Sequence, residues 1–269
     1  MRKELLEFKE KYKKPPLIGY LPALYPDSDK AGETMRLAYE TGLRFIETGI
    51  PTSDPYLDGD IIRKALKELS RSELTIQGFL NDSGRDIKAS GMHGTAMLYH
   101  ESLIEYGIDK ILHDAGRSGI EAILVPNISK EYRVKLHEAS IGSDVEIVNF
   151  IGFHDSMSDI AEVAELTTGF LYMQSTDGST GGQFSANRES EQRLQMVKEI
   201  ASPLKLPVAL GFGINSPEDA DAAAQMGADA IIVGTAFLKA VQNGRNEFVN
   251  FINSFRPYLS EDKCSQYSL

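Results

Sequence analysis

The sequence predicts a single (β/α)8 barrel of the α/β class, and three observations lead to this prediction. Short apolar stretches alternate with helical segments along the whole chain, and eight such units can be counted. Alternating β and α elements imply a parallel sheet, because parallel neighbours need a crossover connection. The strands are apolar on both faces, as in a sheet covered on both sides. Eight units in 269 residues suit a closed barrel better than an open doubly wound sheet, so we expect one domain over residues 1–269.

The first elements follow from local apolar patterns and chain breaks. An amphipathic helix is predicted at 3–13, and it ends before Pro15. The segment LIGYL (17–21) is the first strand. A helix at 29–41 follows, with Gly42 just past its end, where glycine is common.

The remaining elements repeat the same alternation. The further strands are predicted at 43–50, 94–99, 120–125, 145–151, 169–174, 207–212 and 228–234. The helices that follow them are predicted at 60–69, 102–116, 129–139, 158–166, 189–202, 216–227 and 235–243. Ser216 is the expected N-cap of the helix at 216–227, with Pro217 in its first turn. Residues 74–90 and 246–256 are interpreted as extra helices after the second and eighth strands.

Composition excludes several classes of protein. The net charge of −11 argues against nucleic-acid and anionic-membrane partners, because both need clustered Lys and Arg. The single cysteine, Cys264, allows no disulfide within the chain, which fits a reducing compartment. The N-terminus is charged and lacks the apolar region of a secretory signal, and no apolar run of about 18 residues is present. We therefore expect a cytoplasmic enzyme.

Two carboxylates are candidates for acid–base chemistry. In this fold the active site lies at the C-terminal ends of the strands. Glu47 lies near the end of an apolar strand, and Asp58 follows eleven residues later in a proline-rich loop. Burial would raise the pKa of Glu47 and favour proton donation near neutral pH, and carboxylates in different surroundings can divide acid and base roles. The alternative is structural: Glu47 pairs with a barrel Lys or Arg, and Asp58 caps the following helix.

The last two strand–helix junctions indicate an anion site. Gly211 and Gly213 end the seventh strand, and Gly234 and Thr235 lie at the next junction. Backbone N–H groups exposed there, with helix dipoles behind them, can bind phosphate, and phosphate sites after strands seven and eight are frequent in this fold. The alternative is that these glycines only form tight turns.

Other polar residues are weaker candidates. The loop STDGSTGGQFSANRE (175–189) is polar and glycine-rich, so it is either a lid that closes over phosphate or an uninvolved loop. The histidines lack metal-ligand spacing, and no metal site is predicted. His100 ends the third strand and is a candidate for the pocket, although a packing role is the main alternative.

Long segments of the chain resemble a known family. FIETGIPTSDPYLDGDIIRKA (45–65) looks like the signature of tryptophan synthase α subunits, E-x-G-I-P-x-S-D-P-x-x-D-G-P followed by a helix. ALGFGINSPEDA (209–220) and VGTAF (233–237) are similar to the GFGI-S-x-P and GSA segments of the family. The match in order and spacing covers nearly the whole chain, and the middle third matches poorly. The chain thus resembles a divergent member.

The resemblance implies a carbon–carbon lyase of tryptophan biosynthesis, which cleaves indole-3-glycerol phosphate to indole and glyceraldehyde 3-phosphate by a retro-aldol reaction. Glu47 would protonate the ring carbon that carries the side chain and help to deprotonate the glycerol hydroxyl. Asp58 would take up positive charge or the proton at the indole nitrogen. This chain would carry no cofactor. A β subunit holding pyridoxal phosphate would receive indole in an α2β2-type complex, against the loop that contains Asp54 and Pro55.

The resemblance also implies the residues that bind substrate. Backbone amides would hold the phosphate around Gly181, Gly213, Gly234 and Thr235. The indole pocket would be lined by Tyr20, Met97, Leu124, Phe150, Tyr172 and Phe212. These side chains are apolar or aromatic, as a flat hydrophobic ring requires.

Four segments depart from the family pattern, and several of them lie at the expected barrel mouth. LPALYP (21–26) lacks the glycine of the usual Thr-x-G-x-P run, and residues 99–101 replace Y-x-N-P. Residues 127–129 replace D-x-P, and Asp60 follows Gly59 where proline is usual. Two further hypotheses therefore stay open. One is a stand-alone relative that releases free indole or cleaves a related phosphorylated substrate, and the other is a non-catalytic regulatory subunit that binds ligand.

Overall fold

Eight parallel strands close into a barrel in the order β1 to β8 in the computed structural model, which describes residues 1–175 and 187–262. The strands are β1 (Leu17–Pro22), β2 (Phe45–Gly49), β3 (His93–Met97), β4 (Ala122–Leu124), β5 (Glu146–Ile151), β6 (Leu171–Gln174), β7 (Val208–Gly211) and β8 (Ala230–Val233). The ring closes where β8 pairs in parallel with β1. The predicted (β/α)8 barrel is confirmed.

Helices follow the strands as the sequence pattern predicts. Those in the described ranges are α1 (Arg2–Tyr12), α2 (Ser28–Glu40), α3 (Asp60–Leu69), α4 (Ile76–Ser90), α5 (His100–Tyr106), α6 (Ile108–Ser118), α7 (Lys130–Ser140), α8 (Met157–Glu165), α9 (Arg188–Ala201), α10 (Pro217–Met226), α11 (Thr235–Gln242) and α12 (Arg245–Ser254). The three predicted extra helices are α1, α4 and α12. None of the helices in these ranges combines the length and apolar character that a membrane crossing needs.

One predicted helix is two helices in the structure. The expected helix at 102–116 is divided into α5 and α6 at Gly107, which has a φ of 94°. This conformation is strained for residues with a Cβ, so glycine permits the break. The expected cap of α10 is confirmed: Ser216 accepts a hydrogen bond from the backbone N–H of Asp219, and Pro217 occupies the first turn.

The parallel register brings three polar side chains to one layer of the barrel. Tyr20 of β1 is the register partner of Glu47 of β2, and Glu47 is the register partner of Thr95 of β3. Side chains of register partners project from the same face of a sheet. All three residues are buried.

Candidate active site

A cavity of about 320 Å³ opens at the C-terminal ends of the strands. Its wall comes from strand ends and from the loops that follow them, where this fold builds its active sites. Many of the residues singled out in the sequence line it, namely Tyr20, Glu47, Asp58, Met97, Phe150, Tyr172, Phe212 and Gly234. Glu47 of β2 and Asp58 of the following loop therefore line the same cavity as the aromatic side chains predicted for the indole pocket.

The remaining candidates lie elsewhere. Leu124 is fully buried in the same apolar cluster as Met97 but does not line the cavity. The reason is that β4 ends at Leu124, so the next residues, Pro126 and Asn127, form the wall at this point. Leu124 is therefore a buried residue that does not itself form part of the cavity wall.

The phosphate candidates are only partly placed at the cavity. Gly234 lines it and immediately precedes α11, whose first residue is Thr235. Gly213 and Thr235 do not line the cavity; Gly213 has a φ of 79° in the turn after β7. Gly181, and with it most of the 175–189 loop proposed as a lid, lies outside the described residues.

Glu47 is a carboxyl group in apolar surroundings. It is 2% exposed, and its Oε2 has no hydrogen-bond partner in the described ranges. Burial, and secondly the charge of Asp58, raises the pKa of Glu47 to about 8. Glu47 also forms no ion pair with Lys or Arg in these ranges. The geometry therefore does not support the alternative that Glu47 forms a salt bridge inside the barrel.

Asp58 lies in a more polar environment than Glu47. Its Oδ2 accepts a hydrogen bond of 2.7 Å from the hydroxyl of Tyr99, and its backbone carbonyl accepts one of 2.7 Å from the guanidinium of Arg63. Burial raises the pKa of Asp58 to about 6, and the Tyr99 hydroxyl and the Arg63 charge limit the rise. The N-cap of α3 is Gly59 rather than Asp58, so the alternative role as a helix cap does not hold.

Three aromatic rings pack together in the wall of the same cavity. The ring centroids of Phe150, Tyr172 and Phe212 lie 5.6, 5.6 and 5.9 Å apart in tilted or edge-on pairs. The ring of Tyr172 lies over the backbone of Gly211. A Cβ added at Gly211 would be only 2.6 Å from Cζ of Tyr172. Such a wall offers ring faces and edges to a flat apolar ligand.

Two lining residues, Tyr99 and Asn127, lie in segments that the sequence placed at the barrel mouth, but neither was given a role in the site. Tyr99 ends the predicted third strand, and the rule that led to Glu47 could have led to it. The side-chain amide of Asn127 donates to Tyr56 and to Glu101, and its Oδ1 accepts a 2.8 Å hydrogen bond from the backbone of His100. This network joins the loops after β2 and β4 to the start of α5, and only their spatial proximity reveals it.

His100 does not line the cavity. Its ring packs edge-on against Tyr132, with the centroids 4.8 Å apart. The packing role that was the alternative to a pocket role is therefore the one observed. In the described part of the chain, no group of three or more His, Cys, Asp and Glu residues is arranged to hold a metal ion.

Comparison with known proteins gives a consistent result. The family model described as "Tryptophan synthase alpha chain" matches residues 6–261. The tryptophan synthase alpha chain of Mycobacterium intracellulare is 31% identical over 230 residues, 85% of this chain and 82% of that protein. The alpha chain of Methanosarcina barkeri (strain Fusaro / DSM 804) is 31% identical over 241 residues, 89% of this chain and 88% of its own length.

Solved structures show the same fold. A chain in a structure of Mycobacterium tuberculosis tryptophan synthase has a TM-score of 0.85 and 25% identity, covering 96% of this chain and 98% of that one. A mutant tryptophan synthase alpha-subunit from the hyperthermophile Pyrococcus furiosus has a TM-score of 0.77 and 23% identity, covering 90% of this chain and 97% of that one.

Proposed function

The chain belongs to the tryptophan synthase alpha chain family, and on this premise we propose that it cleaves indole-3-glycerol phosphate to indole and glyceraldehyde 3-phosphate. The observation that carries the proposal is the pairing of Glu47 and Asp58 in one cavity, with pKa values of about 8 and about 6. Between these values Glu47 is protonated and Asp58 is ionised. One carboxyl group is then a proton donor and the other an anion, which is the division that acid–base catalysis requires.

The two groups take separate parts in the proposed reaction. The neutral Glu47 donates its proton to the ring carbon that carries the side chain, which makes an indoleninium cation. The anionic Asp58 stabilises this cation or takes up the proton at the ring nitrogen. The carbon–carbon bond then breaks, its electron pair returns to the ring, and the glycerol hydroxyl gives its proton to the Glu47 carboxylate. Protons balance, because Glu47 is reprotonated by the glycerol hydroxyl, and any proton that Asp58 took from the ring nitrogen returns to it as indole forms.

The cavity offers suitable surfaces for both ends of this substrate. The rings of Phe150, Tyr172 and Phe212 provide an apolar wall for the indole. Gly234 lies at the mouth where α11 begins, so backbone N–H groups and the helix dipole favour an anion there. In this proposal the phosphate is held around Gly213, Gly234 and Thr235, and the family pattern adds Gly181.

We also propose that the chain works with a β subunit in an α2β2-type complex. Tyr56 and Leu57 are large apolar residues in the loop after β2, and they are 47% and 38% exposed. Exposed side chains of this kind are enriched where partners dock, and the family places this loop against β. Pyridoxal phosphate would belong to the β subunit, and this chain would need no cofactor of its own.

The rim network favours a second candidate, a stand-alone lyase. Asn127 occupies the position where the family usually has an acid, and its side chain already connects Tyr56 and Glu101 within the chain. A rim held together by internal hydrogen bonds supports an active conformation without a partner.

Indole formation from indole-3-glycerol phosphate tests both candidates. The rate is measured for the chain alone and with a tryptophan synthase β subunit. Stimulation by the β subunit, by an order of magnitude or more, supports the complex. Substantial turnover that the β subunit does not change supports the stand-alone lyase. No indole under either condition, with binding of the substrate intact, would contradict the proposed reaction and favour a regulatory subunit.

A further inference from the structure

The hydroxyl group of Tyr20 is buried at the barrel mouth without a hydrogen-bond partner in the described ranges. Tyr20 is 4% exposed and lines the cavity. A Cβ added at Gly49 would lie 2.9 Å from Cζ of Tyr20 and still closer to its oxygen, so the hydroxyl lies directly against the backbone of β2. Buried hydroxyl groups are nearly always hydrogen bonded, so a ligand is expected to satisfy this one.

The hydroxyl lies beside the proposed acid. Tyr20 and Glu47 are register partners on neighbouring strands, and their side chains share one face of the sheet. Oε2 of Glu47 is also without a partner among the described residues. The two unpaired oxygens do not hydrogen bond to each other, and an oxygen atom of a ligand placed between them would satisfy both.

Tyr20 remains a hydrogen-bond donor throughout the working pH range. Burial raises the pKa of its hydroxyl well above the usual value, and the nearby charges of Asp58 and Glu47 raise it further. Tyr99 cannot take the same role, because its hydroxyl already donates to Asp58 and accepts from the backbone of Leu57. Tyr20 therefore has a free donor close to the group that exchanges protons with substrate.

We propose that the Tyr20 hydroxyl donates a hydrogen bond to the glycerol oxygen whose proton Glu47 removes, and that it stabilises the negative charge that develops on this oxygen. The inference rests on the proposed lyase function. In the cleavage step the oxygen loses its proton to Glu47 and forms the aldehyde carbonyl, while the electrons of the broken carbon–carbon bond return to the ring. Tyr20 keeps its own proton and contributes only the hydrogen bond.

The position suits such a contribution to the rate. A donor that is already fixed in place, in a site from which water is excluded, stabilises the transition state without reorganisation. Loss of one such donor typically lowers kcat by about a hundredfold. The bond should be weaker in the ground state, where the oxygen is an uncharged hydroxyl, so kcat should fall much more than affinity.

The test compares Tyr20→Phe with wild type on two compounds. One is indole-3-glycerol phosphate, and the other is an analogue with the indole, a three-carbon chain and the phosphate but without hydroxyl groups. We expect kcat on the substrate to fall by about 10- to 100-fold, with KM changed by less than about threefold. The affinity for the analogue, measured by calorimetry, should stay within about twofold of wild type, because the analogue has no oxygen for Tyr20 to contact.

Tyr258→Phe is the matched control, since it removes another buried tyrosine hydroxyl, one that donates to Asp221 away from the cavity. It should leave kcat unchanged. A wild-type kcat in Tyr20→Phe would overturn the inference, as would an equal loss of affinity for the analogue, which would assign the effect to pocket shape. Failure of the proposed function itself is distinct, because wild type would then release no indole.

Discussion

The hydroxyl of Tyr99 donates a hydrogen bond of 2.7 Å to Oδ2 of Asp58 and accepts one of 3.1 Å from the backbone N–H of Leu57. One side chain, at the N-cap of α5 just after β3, therefore holds both the carboxylate and the backbone of the loop after β2. A hydrogen bond to the charged form of a carboxyl group lowers its pKa, and here it opposes the burial that raises the pKa of Asp58.

Replacing this tyrosine should move the acidic limb of the pH profile. For wild type, kcat/KM should rise as Asp58 ionises around pH 6 and fall as Glu47 ionises around pH 8. Tyr99→Phe removes a bond to the ionised form, so the pKa of Asp58 rises and the acidic limb shifts to higher pH. Activity at pH 6 should fall by roughly tenfold, and activity near pH 8 should fall less.

A profile from pH 5 to 9 measures this shift. Tyr106→Phe is its control, because the hydroxyl of Tyr106 donates to Asp114, which does not line the cavity. An acidic limb that stays at the wild-type position in Tyr99→Phe would show that Tyr99 does not tune Asp58.

Replacing either of the two carboxyl groups by an amide should nearly abolish turnover. Glu47→Gln and Asp58→Asn keep side-chain shape but remove the proton donor and the anion, so each should lower kcat by at least about a hundredfold. Asp60→Asn changes an acid at the start of α3, two residues after Asp58, whose side chain is 98% exposed, and it should stay close to wild type. Steady-state indole release measures all three, and a wild-type rate in either of the first two variants would remove that residue from the mechanism.

Glu47→Gln should also raise the free energy of unfolding. The pKa of Glu47 is about 8 in the folded chain against a reference value of 4.5. Below pH 4.5 the group is neutral in both states, and as pH rises towards 8 the unfolded chain loses its proton first, so wild type loses stability. Glutamine cannot ionise, and Glu47→Gln should therefore be more stable by about 3 kcal/mol at pH 7.

Urea unfolding at pH 4 and pH 7 measures the difference, which should nearly vanish at the lower value. Equal stability of Glu47→Gln and wild type at pH 7 would contradict the raised pKa. A stabilised variant with lost activity would mark Glu47 as a residue kept for chemistry at the expense of the fold.

Filling the space beneath Tyr172 should damage the aromatic wall. A Cβ at Gly211 would lie 2.6 Å from Cζ of Tyr172, so Gly211→Ala forces the ring or the strand to move. We expect a loss of about 1–3 kcal/mol in stability and a rise of about tenfold in KM. Gly116→Ala is the control, because the nearest atom there is a Val145 methyl carbon at 3.3 Å, and α6 can accept alanine. An unchanged KM in Gly211→Ala would indicate that the ring does not contact substrate.

The sequence was sufficient to predict the barrel because its evidence is local. Short apolar strands and amphipathic helices repeat eight times, and parallel strands in that number have few alternative arrangements. The boundary between α5 and α6 was missed, since a single glycine inside a helical pattern can be tolerated or can break the helix. The sequence could not show that Pro126 and Asn127 line the cavity where Leu124 does not, because the level at which a strand ends in the barrel depends on its neighbours.

The sequence by itself determined which elements form, the strand on which Glu47 lies and the loop that carries Asp58, because periodicity and chain breaks act over a few residues. Only the tertiary structure decided that Tyr99 binds Asp58, that Asn127 joins the loop after β2 to the start of α5, and that Tyr20 lies beside Glu47 in the barrel. These relationships join residues that are between 26 and 71 positions apart in the chain. Desolvation and hydrogen bonding depend on distance in space, and closing the barrel is what brings these groups together.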